Sequence, residues 1–212
     1  MHPHKNFTLQ VQLGLGVAGV LTLMSLTPSL TLRSVAFEPS QIQQPTLNQL
    51  QQAEALNNQG VELANQGEYA AAIRLFNQAI AIYPHYEKAY SNLGIALGSQ
   101  GQLTEAIAAF NEALKIDPNN WETYNNLGIA WGMQEEIPNA IAAFEQAIQI
   151  NPNEPISYRN LGIAYVKQRQ LPRAIAILEQ AQELYQSQNN ASEVDQIEQV
   201  LARLRQALKA SE

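Results

Sequence analysis

Residues 87–154 state the same 34-residue sentence twice. The first copy reads EKAYSNLGIALGSQGQLTEAIAAFNEALKIDPNN and the second WETYNNLGIAWGMQEEIPNAIAAFEQAIQINPNE. Tyr90, Leu93 and Gly94 return as Tyr124, Leu127 and Gly128, and Ala106, Phe110, Ala113 and Pro118 return as Ala140, Phe144, Ala147 and Pro152. The register extends backwards through Gly60, Ala72, Phe76, Ala79 and Pro84, and forwards through Tyr158, Leu161, Gly162, Ala174, Leu178 and Ala181. Four units result: 53–86, 87–120, 121–154 and 155–188. A period of this length marks modules that bury their apolar sides only by stacking on one another.

Each unit reads as two helices. From Tyr90, the residues Leu93, Gly94 and Leu97 fall at i+3, i+4 and i+7 on one helical face. Gly101 breaks that helix, and Leu103, Ile107, Phe110 and Leu114 mark a second one. Asp117-Pro118-Asn119 stops it, because proline lacks the amide donor and disfavours helix in the residue before it. Helices of roughly 14 residues are marginal alone, so stacking is obligatory. Gly94 and Ala106 leave room for close backbones, and Phe110 fills the space between pairs.

These residues resemble the tetratricopeptide repeat (TPR) family, whose pattern is aromatic-x-x-Leu-Gly-x-x-aromatic, then Ala-x-x-x-Phe, Ala and a closing Pro. The resemblance implies an all-α, right-handed α-solenoid of four helix pairs. The ends depart from the pattern: Gln59 replaces the leucine, Leu178 the phenylalanine and Gln186 the closing proline. Terminal units of stacked arrays are atypical in this way. Thr46 with Gln49 is a capping-box signature that starts the domain at Leu47. After the fourth unit Ser192 can cap a last helix over 192–209. There Val194, Ile197, Leu201, Leu204 and Leu208 form the apolar face of a lid on the last repeat. The same spacing also suits a coiled-coil partner. The repeat domain is then 47–210.

The beginning of the chain differs in kind. No charge stands between Lys5 and Arg33, Leu13 to Leu26 is a nearly continuous apolar run, and Ser34-Val35-Ala36 is a small-x-small site. Residues 1–36 therefore read as a signal peptide, followed by a polar linker over 37–46. The rival is an uncleaved membrane anchor through residues 11–32, since Val11 to Leu32 reaches the ~20 residues a span needs. Either places the repeats in an exported location, a periplasm or organelle lumen, or anchors them to a membrane by the N-terminus. Removing residues 1–36 takes Lys5 and Arg33 from the 12 basic residues, leaving ten against 19 acidic ones, a net charge of −9. Such an acidic body argues against nucleic acid.

Catalytic chemistry finds no residues. Of three histidines, His2 and His4 precede the apolar run and His85 sits in an inter-repeat turn. None has a carboxylate or second histidine at ligand spacing in a structured element, and there is no cysteine, P-loop or GxGxxG. The reading is a non-enzyme with no cofactor and no metal.

Binding is the remaining use. Ile95 lies two residues from both Leu93 and Leu97, so at 100° per residue it points nearly opposite to them. In the family this side lines a concave groove that takes a partner segment. Its central column here is Val61, Ile95, Ile129 and Ile163. Flanking columns hold Asn57, Ser91, Asn125 and Arg159, and Asn65, Ser99, Met133 and Lys167. A further column is asparagine throughout: Asn58, Asn92, Asn126 and Asn160. These asparagines either cap and pack the repeats or hold a guest backbone. The family's clamp for acidic chaperone tails uses Lys and Asn on the first repeat, where Asn57 and Val61 stand instead, so that clamp is not supported. The units carry −2, −2, −5 and +2, and Arg159 and Lys167 give the fourth a place for an acidic segment or chain terminus. The expected function is a scaffold or adaptor that takes an extended or helical segment of a partner protein, in assembly or chaperoning of a complex outside the cytoplasm. The alternative is a self-associating structural protein, anchored to a membrane by residues 11–32.

Overall fold

The computed structural model describes residues 46–210. The export-signal and anchor readings of residues 1–36 and nearly all of the 37–46 linker lie outside the described residues. Those described form nine α-helices and no strand: α1 (Leu47–Asn65), α2 (Tyr69–Ile82), α3 (Glu87–Ser99), α4 (Leu103–Ile116), α5 (Trp121–Met133), α6 (Ile137–Ile150), α7 (Pro155–Lys167), α8 (Leu171–Ser187) and α9 (Ala191–Ala210). The first eight make four antiparallel-type pairs, each packed on the next, in an all-α solenoid.

Local chemistry sets each boundary. Thr46 and Gln49 close a reciprocal capping box: the Gln49 amide donates to Thr46 Oγ1 at 3.3 Å, and the Thr46 amide to Gln49 Oε1 at 2.8 Å. The first helix of every pair ends in a left-handed residue at one register: Gly67 (φ 82°), Gly101 (77°), Glu135 (64°) and Arg169 (60°). The next amide then reaches back five residues, as Glu68 N–H does to Leu63 O at 2.9 Å and Gln102 N–H to Leu97 O at 3.0 Å. Glycine takes this conformation freely, whereas Glu135 and Arg169 hold it against their Cβ atoms. Second helices α2, α4 and α6 stop just before Pro84, Pro118 and Pro152. The fourth unit has Gln186 where proline would stand, and α8 runs on to Ser187.

The last helix starts one residue earlier than the spacing of Ser192 suggests. Asn190 Oδ1 accepts from the Glu193 amide at 3.4 Å, so the asparagine occupies the capping position. Ser192 falls in the first turn, where its Oγ accepts from Gln196 Nε2 at 3.5 Å. Ile197, Leu201 and Leu204 are buried against α8, with Val194 and Leu208 half-buried. Most of the opposite side of α9 is polar, so the helix closes the apolar end of the stack as a cap.

Each pair closes on one contact. A Cβ built on Gly60, Gly94 or Gly128 falls 2.6 Å from the ring of Phe76, Phe110 or Phe144. On Gly162 it falls 2.6 Å from Leu178 Cγ. The phenylalanine ring thus packs directly on the glycine of its own pair, as well as contributing to the core shared with neighbouring pairs. Ala72, Ala106, Ala140 and Ala174 are fully buried in the column that completes the approach. Half-buried Trp131 touches both main clusters of the core, joining the first half of the array to the second. Gln59, in place of leucine, is exposed at the open end of the first unit.

Gly128→Val is expected to destabilise the domain by about 1–3 kcal/mol, the cost of overpacking a filled core, read as a lower urea midpoint with an unchanged slope. A variant as stable as wild type would show that the Phe144 ring relaxes freely.

Candidate functional site

Helices α1, α3, α5 and α7 lie side by side, each approaching the next closely, whereas α2, α4, α6 and α8 make no such approach to one another among the described residues. The first helices therefore form the tighter layer. Their Leu-Gly faces are committed to α2, α4, α6 and α8 by the glycine contacts. The opposite face is left to solvent, and there Ile95, Ile129 and Ile163 are 43%, 41% and 46% exposed. Met133 is exposed beside them, while Val61 is half-buried against the core. Ile156, seven residues or about two helical turns before Ile163 on α7, is also exposed and extends the same stripe.

Two apolar pockets flank α5. One, of about 320 Å³, lies between α3 and α5, with Ile95, Gly98, Phe110, Asn126, Ile129 and Met133 in its wall. The other, of about 180 Å³, lies between α5 and α7, with Ile129, Gly132, Ile137, Phe144, Asn160 and Lys167. Sequence columns alone miss Gly98 and Gly132, although both stand four residues after the pairing glycine.

The asparagine column divides. Asn92 Nδ2 donates to Asn57 Oδ1 at 2.9 Å, and Asn160 Nδ2 to Asn125 Oδ1 at 3.0 Å, so these two stitch neighbouring repeats. Their acceptors Asn57 and Asn125 are buried. Asn126 lacks that acceptor, since Ser91 replaces the asparagine and its hydroxyl lies 3.1 Å from Thr123 Oγ1. The Asn126 amide therefore faces its pocket without a hydrogen bond inside the domain. Asn58 is exposed beside Gln59, Glu62 and Leu63, in a shallow depression apart from the two pockets.

The two groove-column cations of the fourth unit, Arg159 and Lys167, also separate. Arg159 Nη1 donates to Glu193 Oε2 at 2.9 Å, tying α7 to the cap helix. Lys167 Nζ reaches across to Gly132 O at 3.3 Å and makes no ion pair. Lys167 is thus the cation presented to the groove, while Arg159 is held by the cap.

A polar seam joins the second and third units beside the site. Glu87 Oε1 accepts from Asn120 Nδ2 at 2.9 Å and from Thr123 Oγ1 at 3.5 Å. Partial burial, reinforced by the nearby charge of Asp117, raises the Glu87 carboxyl above its ordinary value. Among the described residues no three His, Cys, Asp or Glu side chains gather as a metal site, and no helix is long and apolar enough to cross a membrane.

Family models described as tetratricopeptide repeat or TPR repeat match residues 87–120, 60–101 with 133–169, and 156–187, together more than half of the chain. No curated protein matches. Among solved structures, the chain is similar to a double mutant titled MamA RS-1 ArsTM, with 26% identity over 64% of this chain and 76% of that one and a TM-score of 0.60. It is similar to the Sgt2 TPR domain from Aspergillus fumigatus, with 26% identity, coverage of 61% and 84%, and a TM-score of 0.55. The first TPR of Spaghetti, solved bound to the HSP90 peptide SRMEEVD, shares the fold at 19% identity, coverage of 57% and 95%, and a TM-score of 0.55.

The Glu87 seam has a signed pH dependence. A carboxyl raised in the folded state contributes its stability below the unfolded value and loses it as pH rises through the folded value. Glu87→Gln keeps an acceptor for Asn120 and removes the charge, so it is expected to raise the urea midpoint at neutral pH. The gap should close as pH falls through the raised folded value and be gone below 4.5, the ordinary glutamate value. A lower midpoint at neutral pH would mean that the hydrogen bonds outweigh burial.

Proposed function

The chain belongs to the tetratricopeptide repeat family, and from that premise we propose that it is a protein-interaction adaptor. It takes a segment of a partner protein on the exposed face of its first helices and performs no chemistry. The observation that carries the reading is the row Ile95, Ile129 and Ile163, kept more than two-fifths exposed in a domain that has committed its other apolar columns to pairing. Aliphatic side chains held in solvent at regular spacing mark a surface whose burial is completed by a partner. The solved Spaghetti domain, bound to an HSP90 peptide, is a case of a peptide complex on this fold.

The finer reading places this adaptor outside the cytoplasm, in the assembly or chaperoning of a complex. It is supported by the apolar run Leu13 to Leu26 and the small-x-small site that follows.

The test uses wild type and Ile95→Ser/Ile129→Ser/Ile163→Ser as baits in native extract, with thermal melts confirming that both fold. Each half-exposed isoleucine contributes on the order of 1 kcal/mol on burial, so the triple variant is expected to hold its partner at least about tenfold more weakly. Equal retention by both baits would move the site off this face. Concentration-dependent association that disappears in the variant would assign the face to a second copy of the chain.

A further inference from the structure

The two pockets beside α5 say what kind of segment enters, an inference that rests on the reading of this face as a protein-binding surface. Their floors are the starting point. Gly98 and Gly132 stand at a register held by Ala64 in the first unit and Val166 in the fourth. A Cβ added to them would meet only the Cβ of Ala106 at 3.9 Å or of Ala140 at 3.8 Å, an ordinary contact. The fold therefore does not ask for glycine there, in contrast to Gly94 and Gly128. Each nonetheless sits inside a helix, where glycine costs about 1 kcal/mol relative to alanine. Both glycines line the pockets, under walls of exposed Ile95, Ile129, Ile163 and Met133.

Charge narrows the occupant. The α3–α5 pocket has no ionisable group in its lining, and the α5–α7 pocket has only Lys167. This holds although residues 46–210 carry ten Lys and Arg against 17 Asp and Glu. An acidic domain has kept its acids away from these walls, so a guest lysine or arginine finds no partner there. Uncharged aliphatic side chains fill the pockets, and a carboxylate next to the second one meets an ammonium that has no other acid. The pockets lie on either side of one helix, so their centres are separated by roughly one helix spacing, about 10 Å. Residues seven apart in a guest helix are about 10.5 Å apart on one face. Residues three apart in an extended strand span a similar length but point to opposite sides.

We propose that the partner segment is an amphipathic helix that seats two bulky aliphatic side chains, seven residues apart, in the pockets flanking α5. It carries no basic residue between them and places a carboxylate beyond the second, against Lys167.

The experiment selects binders from a display library of random 16-residue peptides on the immobilised full chain, then measures the enriched peptides by fluorescence anisotropy. Enrichment of Leu, Ile or Met pairs seven apart with a terminal acidic residue is expected. Affinity should fall at least tenfold on Gly98→Leu/Gly132→Leu, which fills both pockets, and Lys167→Glu should reverse the preference for the acid. Gly98→Ala/Gly132→Ala should melt above wild type; a lower melting point would show that the fold needs these glycines and would remove the basis of the inference. Enriched peptides that are basic, or that ignore the leucine variant while losing affinity on the Ile95, Ile129 and Ile163 serine variant, overturn the pocket assignment and leave the adaptor reading intact. No enrichment over an unrelated control protein overturns both.

Discussion

In every unit one helical glycine lies under one large apolar side chain: Gly60 under Phe76, Gly94 under Phe110, Gly128 under Phe144, Gly162 under Leu178. The absent Cβ sets how closely the two helices of a pair approach, and a fully buried alanine completes the same surface. Because this contact uses the Leu-Gly side of each first helix, the opposite side has no partner within the pair. The exposed isoleucine row is the geometric consequence of where the glycine sits. Leu178 fills the same role as phenylalanine in the unit next to the cap, so the requirement is bulk over glycine rather than an aromatic ring as such.

Stacking the pairs raises a second problem, since polar groups become trapped between first helices. The chain meets it with a seam of side-chain hydrogen bonds: Asn92 to Asn57, Asn160 to Asn125, and the Ser91, Thr123, Glu87 and Asn120 cluster. Buried amides that are satisfied fix register without adding much net stability. The cluster at Ser91 and Thr123 takes the place of one amide pair, and by doing so releases Asn126 towards the larger pocket. One substitution in a structural ladder thus supplies a hydrogen-bonding group to the surface. At the other end, the cap helix draws Arg159 out of the groove and leaves Lys167 as its cation.

Much of this was legible in the residues themselves. A 34-residue period, prolines at its ends and two amphipathic faces per period dictate paired helices that stack, because short helices gain stability only through a shared core. The capping box at Thr46 and the turn register at Gly67 and Gly101 are local, and local chemistry reads directly from sequence. The exposed isoleucine column follows from helical angle alone.

What the tertiary structure decided are the pairwise choices among side chains that sequence columns treat as equivalent. Four asparagines in one column have three fates, because an amide's role depends on whether the neighbouring repeat offers it an acceptor. Two cations in one unit separate, because one of them meets a carboxylate on a helix 34 residues away. Gly94 and Gly98 look alike in the sequence, yet an added Cβ would lie 2.6 Å from a ring at the first and only in ordinary contact with Ala106, at 3.9 Å, at the second. Periodicity fixes which face a residue is on, whereas contact across the stack fixes what it has left to give.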